Sequence, residues 1–197
     1  LQNLFRFHGL EHLRQAYALG RGVILLSGHI GFWEVGTFFL PKLGFPADFI
    51  AKPMKNPLID RHLLRARETA GGRCIDSRNA ARKIVRSLAE NRGICVLLDQ
   101  HTHRRQAVAV DFFGRLAYTT PIITQLAMKY GVPVVPVFVY RTPENRYEVE
   151  IEPVLLFDNA PTQDAVVANT ALLTSRIEAA VRRNPDQWFW IHRRWRH

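Results

Sequence analysis

The chain has 197 residues, 47% of them hydrophobic, and a formal net charge of +10. That length supports one sizeable core and hardly two, and the apolar share excludes a disordered chain. No apolar run reaches the roughly 18 residues of a membrane span, and no signal peptide is visible. The first residue is Leu1 rather than Met, so a preceding segment is expected to have been trimmed.

Leu4, Phe7, Leu10, Leu13 and Tyr17 recur at helical spacing, which predicts a helix over Leu4–Gly20. Val23–Ser27 reads as a short buried strand and Ile30–Leu43 as a helix that Gly44 ends. Phe45–Lys52 is extended, Leu58–Ala70 helical, Cys74–Asp76 a short strand and Asn79–Glu90 a helix. Ile94–Asp99 is a second buried strand, Val108–Phe113 is extended, and Pro121–Tyr130 is a helix with Pro in its first turn. Val132–Arg141 is a third buried strand, Tyr147–Leu155 alternates like a half-exposed one, and Ala165–Arg183 is a long helix. Buried strands alternating with helices imply an α/β fold: a single domain over residues 1–197 with a largely parallel central sheet flanked by helices.

In such sheets the ligand sits beyond the carboxyl ends of the strands. Three predicted strands finish on polar residues: Ser27-Gly28-His29, Asp99-Gln100-His101 and Tyr140-Arg141. These are expected to share one edge. His29 stands at a strand-to-helix junction, with Glu34 in the first turn of the helix. A carboxylate on one ring nitrogen would fix the tautomer and leave the other as a general base. The spacing alone favours a helix-capping His and a first-turn Glu that suits the helix dipole. No G-x-S-x-G elbow surrounds Ser27, so the base is expected to act on a hydroxyl of the substrate.

The blocks around this pair, in order, are SGHIGFWE, KPMKNPLID, LLRARETAGG, GICVLLDQ, VDFFGRLAYTT, LAMKYGVPVVPVF and WIHRRW. Together they resemble the late acyltransferases of lipid A biosynthesis, within the glycerolipid acyltransferase superfamily, over residues 20–197. The resemblance implies that His29 takes a proton from an acceptor hydroxyl and that Glu34 orients it. It implies headgroup and phosphate contacts from Lys52, Asn56, Arg65 and Arg67, and structural parts of the site in Asp99, Phe112 and Gly114. Arg141 joins the set of substrate contacts from its place at a strand end. The implied donor is an acyl thioester, on acyl carrier protein or coenzyme A. The implied acceptor is a lipid A precursor or related glycolipid at the cytoplasmic face of a bacterial inner membrane. No metal or bound cofactor is implied. The membrane helix that family members carry ahead of this domain is not among these residues. An acyltransferase for another lipid or aminolipid, an esterase-like hydrolase and a non-catalytic anionic-lipid-binding domain are the alternatives. The backbone N–H groups of Gly31 and Phe32 are the physical candidates for oxyanion donors.

Only five of the 27 basic residues are Lys. The Arg excess suits phosphate and carboxylate oxygens, and an anionic membrane surface or acidic partner. The C-terminal QWFWIHRRWRH is expected to place Trp188, Trp190, Arg193, Arg194 and Trp195 at a bilayer interface, or else to pack on the core. Nucleic acid is not expected, since no RNA-binding module is recognisable. His101 and His103 lack the further partners a zinc site needs. Cys74 and Cys95 read as small buried hydrophobes. The stripe Phe32, Val35, Phe38 and Phe39 reads as core, with an acyl-chain tunnel as the alternative.

Overall fold

The structure is a computed structural model that describes residues 4–157, 160 and 162–196; His197, the end of the aromatic tail, lies outside the described residues. The first element corrects the sequence reading. In place of one helix over Leu4–Gly20, strand β1 (Phe5–His8) precedes helix α1 (Leu10–Ala18). Phe5 and Phe7 satisfy a two-residue alternation as well as a helical one, and the backbone turns between the two elements at Gly9, φ 82°. A sheet edge beside Tyr147–Ile151 supplies hydrogen bonds that a helix would otherwise provide.

The chain continues through β2 (Val23–Ser27), a 3-10 turn (Trp33–Val35), α2 (Gly36–Lys42), β3 (Ala47–Ala51), α3 (Pro57–Glu68), β4 (Cys74–Asp76), α4 (Ala80–Ala89) and β5 (Gly93–Leu97). There follow β6 (Val108–Phe112), β7 (Arg115–Thr119), α5 (Ile122–Tyr130), β8 (Val134–Arg141), β9 (Tyr147–Ile151) and α6 (Gln163–Arg183). Seven strands form one sheet in the order β1-β9-β8-β2-β5-β3-β4. All its neighbours are parallel except β8 and β9. The strand β7 was not expected; it closes an antiparallel hairpin with β6 outside the main sheet, turning at Phe113 and Gly114.

β2 lies in the middle and alternates between two cores. Ile24 and Leu26 pack with α4, α5 and α6 through residues such as Ile84, Ala127 and Ile177. Val23 and Leu25 pack with α1 and α2 through Leu13, Ala16, Phe39 and Leu40. A strand covered on both faces reads as a continuous apolar run, and Val23–Leu26 does so. The helix expected to begin at Ile30 begins only at Trp33, as a 3-10 turn. The residues before it form the loop that carries His29. Among the described residues, no helix is long and apolar enough to cross a membrane.

Candidate active site

β2 and β5 are adjacent and in register, Ser27 beside Leu97. The residues just past their ends therefore emerge side by side. His29 Nδ1 lies 2.8 Å from Asp99 Oδ1. The backbone N–H of His29 donates to Asp99 Oδ2 at 2.7 Å, and the Trp188 indole N–H donates to the same oxygen at 2.8 Å. Asp99 is 3% exposed. Burial alone would raise its pKa, but the His29 imidazole, the Trp188 indole and the His29 amide outweigh it and hold the carboxyl below the ordinary carboxylate value. An ionised Asp99 accepts from Nδ1–H, which leaves the lone pair on Nε2. Nε2 faces the exposed side chain of Gln100, whose amide nitrogen is 3.1 Å away.

Two glycines make this close approach possible. A Cβ on Gly28 would lie 2.9 Å from Ile177 and 3.3 Å from the Asp99 carboxyl. Gly31 has φ 53°, and a Cβ there would collide with the Val139 carbonyl. The C-terminal segment closes the loop from the other side. Gly31 N–H donates to Gln187 O at 2.8 Å, Phe189 N–H to His29 O at 3.0 Å, and Ile30 bridges Trp188.

The expected partner of His29 is corrected here. Glu34 does not hold the imidazole. Arg67 grips it with Nε–Oε2 at 2.8 Å and Nη2–Oε1 at 2.5 Å, a two-pronged ion pair on the rim. The 3-10 turn carries Glu34 away from the ring, and Asp99, assigned only a structural part, takes its place. The strand-end sorting already put Asp99 on the edge with His29; the adjacency of β2 and β5, invisible in one sequence, makes them partners. Arg67, expected to contact a headgroup, is engaged by Glu34.

The expected oxyanion donors are both occupied, Gly31 N–H by Gln187 O and Phe32 N–H by Val139 O. Asn56 caps α3, its side chain accepting from Leu58 N–H at 3.0 Å and Ile59 N–H at 3.4 Å, so its carbonyl oxygen already has partners. Lys52 and Arg65 are exposed. Phe112 is fully buried under Trp188, with ring centroids 5.6 Å apart, and touches no solvent. Gly114 turns the β6–β7 hairpin at φ 72°. Arg141 is braced by Asn145 at 2.6 Å and borders an open cleft of about 780 Å³ with Gly31, Phe32 and Gln187.

The aromatic tail is mostly interior, which corrects the membrane assignment for three residues. Trp188 and Arg194 are buried, and Trp195 packs on the core, its indole donating to Phe112 O at 3.2 Å. Arg194 Nη1 donates to Gln100 O at 3.1 Å and Tyr118 O at 2.8 Å, and Nη2 bonds the Thr119 hydroxyl. Its burial lowers its pKa to about 10. It ties the tail to the Gln100 loop. Trp190 and Arg193 remain exposed. The aromatic stripe also divides: Phe39 is core, Phe32 is exposed, and Phe38 carries Lys42 over its ring at 4.0 Å.

Behind Trp33, two narrow cavities of about 40 and 70 Å³ share Trp33, Thr37, Cys95 and Leu97. Cys95 is half-buried there, its thiol pushed up to about 12 by desolvation. Cys74 is also a free thiol. No group of three or more His, Cys, Asp or Glu able to hold a metal occurs among the described residues. Sequence reasoning missed Gln100, Trp33 and the site role of Trp188; Gln100 alone carried a signal, as a polar residue at a strand end.

The sequence profile described as bacterial lipid A biosynthesis acyltransferase matches residues 1–197. The chain belongs to that family. It is 30% identical over 192 residues to a lipid A biosynthesis acyltransferase of Haemophilus influenzae, covering 97% of this chain and 59% of that protein. It is 26% identical to the lipid A biosynthesis lauroyltransferase of Escherichia coli, over 95% of this chain and 60% of that one. It is also 26% identical to a phosphatidylinositol mannoside acyltransferase of Mycolicibacterium smegmatis, over 94% and 60%. The chain thus spans about 60% of the length of these relatives. In fold it is similar to the 1-acyl-sn-glycerophosphate acyltransferase of Thermotoga maritima, with a TM-score of 0.56 at 17% identity, over 93% of this chain and 73% of that one.

Proposed function

We propose that this protein transfers a fatty acyl group from a thioester to a hydroxyl of a glycolipid of the lipid A precursor type, with His29 as general base. The observation that carries the reading is the Asp99–His29 pair with its remaining nitrogen directed at the rim. Among the described residues, no Ser, Thr or Cys side chain is bonded to Nε2, so the nucleophile comes from outside the protein. The Gln100 amide marks the position the acceptor oxygen takes. The hydroxyl displaces it, passes its proton to Nε2 as its oxygen bonds the thioester carbon, and Asp99 stabilises the imidazolium that forms. The C–S bond then breaks, and the leaving thiolate takes that proton from the His29 imidazolium.

Trp33 stands edge-on to the imidazole, ring centroids 5.0 Å apart, and also lines the cavities behind it, which would seat the start of an acyl chain. Lys52, Arg65 and Arg141 are the cations placed to meet phosphate on donor or acceptor, while Glu34 holds Arg67 in position on the same rim. Acyl carrier protein is the favoured donor, because an acidic carrier suits a chain with net charge +10. The setting is the cytoplasmic face of a bacterial inner membrane, with Trp190 and Arg193 exposed at the rim.

The test mixes purified protein with radiolabelled acyl-carrier or acyl-CoA thioester and total bacterial polar lipid. Label is expected to enter one lipid band with the wild type, at a rate at least about 100-fold above His29→Ala. Label released only as free acid would show a hydrolase. Equal turnover by both proteins would remove His29 from the chemistry.

A further inference from the structure

α3 (Pro57–Glu68) buries none of its residues. Its C-terminal turn is anchored, through Arg67 on Glu34 and over the Phe49 ring. Its N-terminal end lies about 13 Å of helix rise away from Arg67 and carries Met54, Leu58 and Ile59, all exposed, Leu58 to 71%. Exposed single hydrophobics are common, but three at one helix tip beside a site are not.

The charges around this tip are unusually one-sided. Lys52, Lys55, Arg61 and Arg65 are exposed and form no ion pair among the described residues. The two local acids are turned onto backbone: Asp60 accepts from Met54 N–H at 2.9 Å, and Glu68 from Cys74 N–H at 3.3 Å. Exposed apolar residues interspersed along the chain with unpaired cations match the chemistry of an anionic bilayer, with acyl chains beneath phosphates. The tail, whose Phe189 ring lies 6.4 Å from those of Trp33 and His29, exposes Trp190 and Ile191, the latter to 83%.

We infer that the α3 tip is a membrane-docking element that inserts Leu58 and Ile59 among anionic headgroups, so that His29 opens onto the bilayer between α3 and the tail. This rests on the acyl-transfer reading for the purpose of docking, but not for the binding itself. The carrier protein offers the same charge, but an acidic surface alone leaves no reason for Met54, Leu58 and Ile59 to be exposed together with the cations. Each unpaired cation adds about fivefold to affinity for an anionic surface at low salt.

The experiment sediments the chain with vesicles of phosphatidylethanolamine and phosphatidylglycerol, and with vesicles of phosphatidylcholine alone. Wild type is expected to bind the anionic vesicles, more weakly as salt rises. Leu58→Asp/Ile59→Asp is expected to bind them at least about tenfold more weakly, while its turnover on detergent-dispersed polar lipid stays within about twofold of wild type, since neither side chain touches the site. His29→Ala is expected to show the converse: full vesicle binding and no transfer. Equal vesicle binding by wild type and the double variant would overturn the inference, as would no binding by wild type. So would a double variant that keeps its vesicles but loses affinity for acyl carrier protein, because the tip would then be a carrier site. Loss of transfer in every protein, with the binding pattern intact, would count against the acyl-transfer reading alone.

Discussion

Two buried carboxylates sit at opposite ends of the same sheet, and they do different things. Asp48, near the start of β3, is fully buried and accepts from Arg92 through Nε at 2.9 Å and Nη2 at 2.5 Å, and from Arg73 N–H at 3.1 Å. Arg92 also donates to Gly71 O at 3.1 Å. Every strong bond there closes back onto the protein. Asp99, past the end of β5, is as well satisfied, but its partner is an imidazole with a second nitrogen facing outward. A buried acid is thus not itself the mark of a reactive site. What matters is whether the group it holds has an unused valence pointing at solvent.

Exchanging each acid for its amide separates the two most widely. Asp99→Asn removes the acceptor that fixes the His29 tautomer, and acyl transfer is expected to fall at least about 100-fold. Its folded structure is expected to survive, because the amide oxygen still accepts from the Trp188 indole. Asp48→Asn leaves a largely buried Arg92 without its counter-charge, which is expected to cost about 3 kcal/mol of stability. Its rate per folded molecule should match wild type. Chemical denaturation and a single-turnover assay on both variants decide the matter. A catalytic loss in Asp48→Asn at full folding, or none in Asp99→Asn, would erase the distinction.

Acid sharpens the same contrast at Asp99. Its pKa in the folded protein is depressed, so the unfolded state binds the proton first. The stability it contributes is complete above the ordinary carboxylate range, about pH 4, and is lost as pH falls through the depressed folded value. Wild type minus Asp99→Asn is therefore expected to be a stability difference that shrinks steadily below about pH 4. Urea midpoints measured across that range check it. A difference that grows toward acid would mean the carboxyl is held up by burial rather than down by its partners.

Much of this was legible in the chain, and the failures have physical causes. β2, β5 and β8 announced themselves because central parallel strands are apolar on both faces, and α3 to α6 began and ended near their punctuation by Gly, Pro and Asn. β1 was lost because Phe5-x-Phe7 fits two periods, and only its partner β9 decides between them. β7 was lost because Arg115 and Leu116 are exposed in an isolated hairpin and give no clear alternation. At the site, His29 was readable as a polar residue ending a buried strand. Its partner was not, because Glu34 is close in sequence while Asp99 is brought near only by the pairing of β2 with β5. The tail misled for a related reason. Trp and Arg in alternation look interfacial, yet Arg194 reaches three acceptors inside the fold that no local pattern reveals.

The smallest of the expected effects concerns Glu34. It makes no bond to the imidazole, and its carboxylate is partly exposed, so Glu34→Gln is expected to change stability by less than about 1 kcal/mol. It is also expected to leave any background hydrolysis of thioester within about twofold of wild type, since Glu34 bonds neither His29 nor Asp99. What changes is the rim: Arg67 is released from its two-pronged grip on Glu34. Transfer to lipid is therefore expected to drop about tenfold while hydrolysis does not, whereas Asp99→Asn lowers both together. Measuring free acid and acylated lipid in the same reaction reads the two rates at once. If Glu34→Gln lowered both in proportion, its carboxylate would have to reach His29 during turnover, and the imidazole would have two acids in succession rather than one.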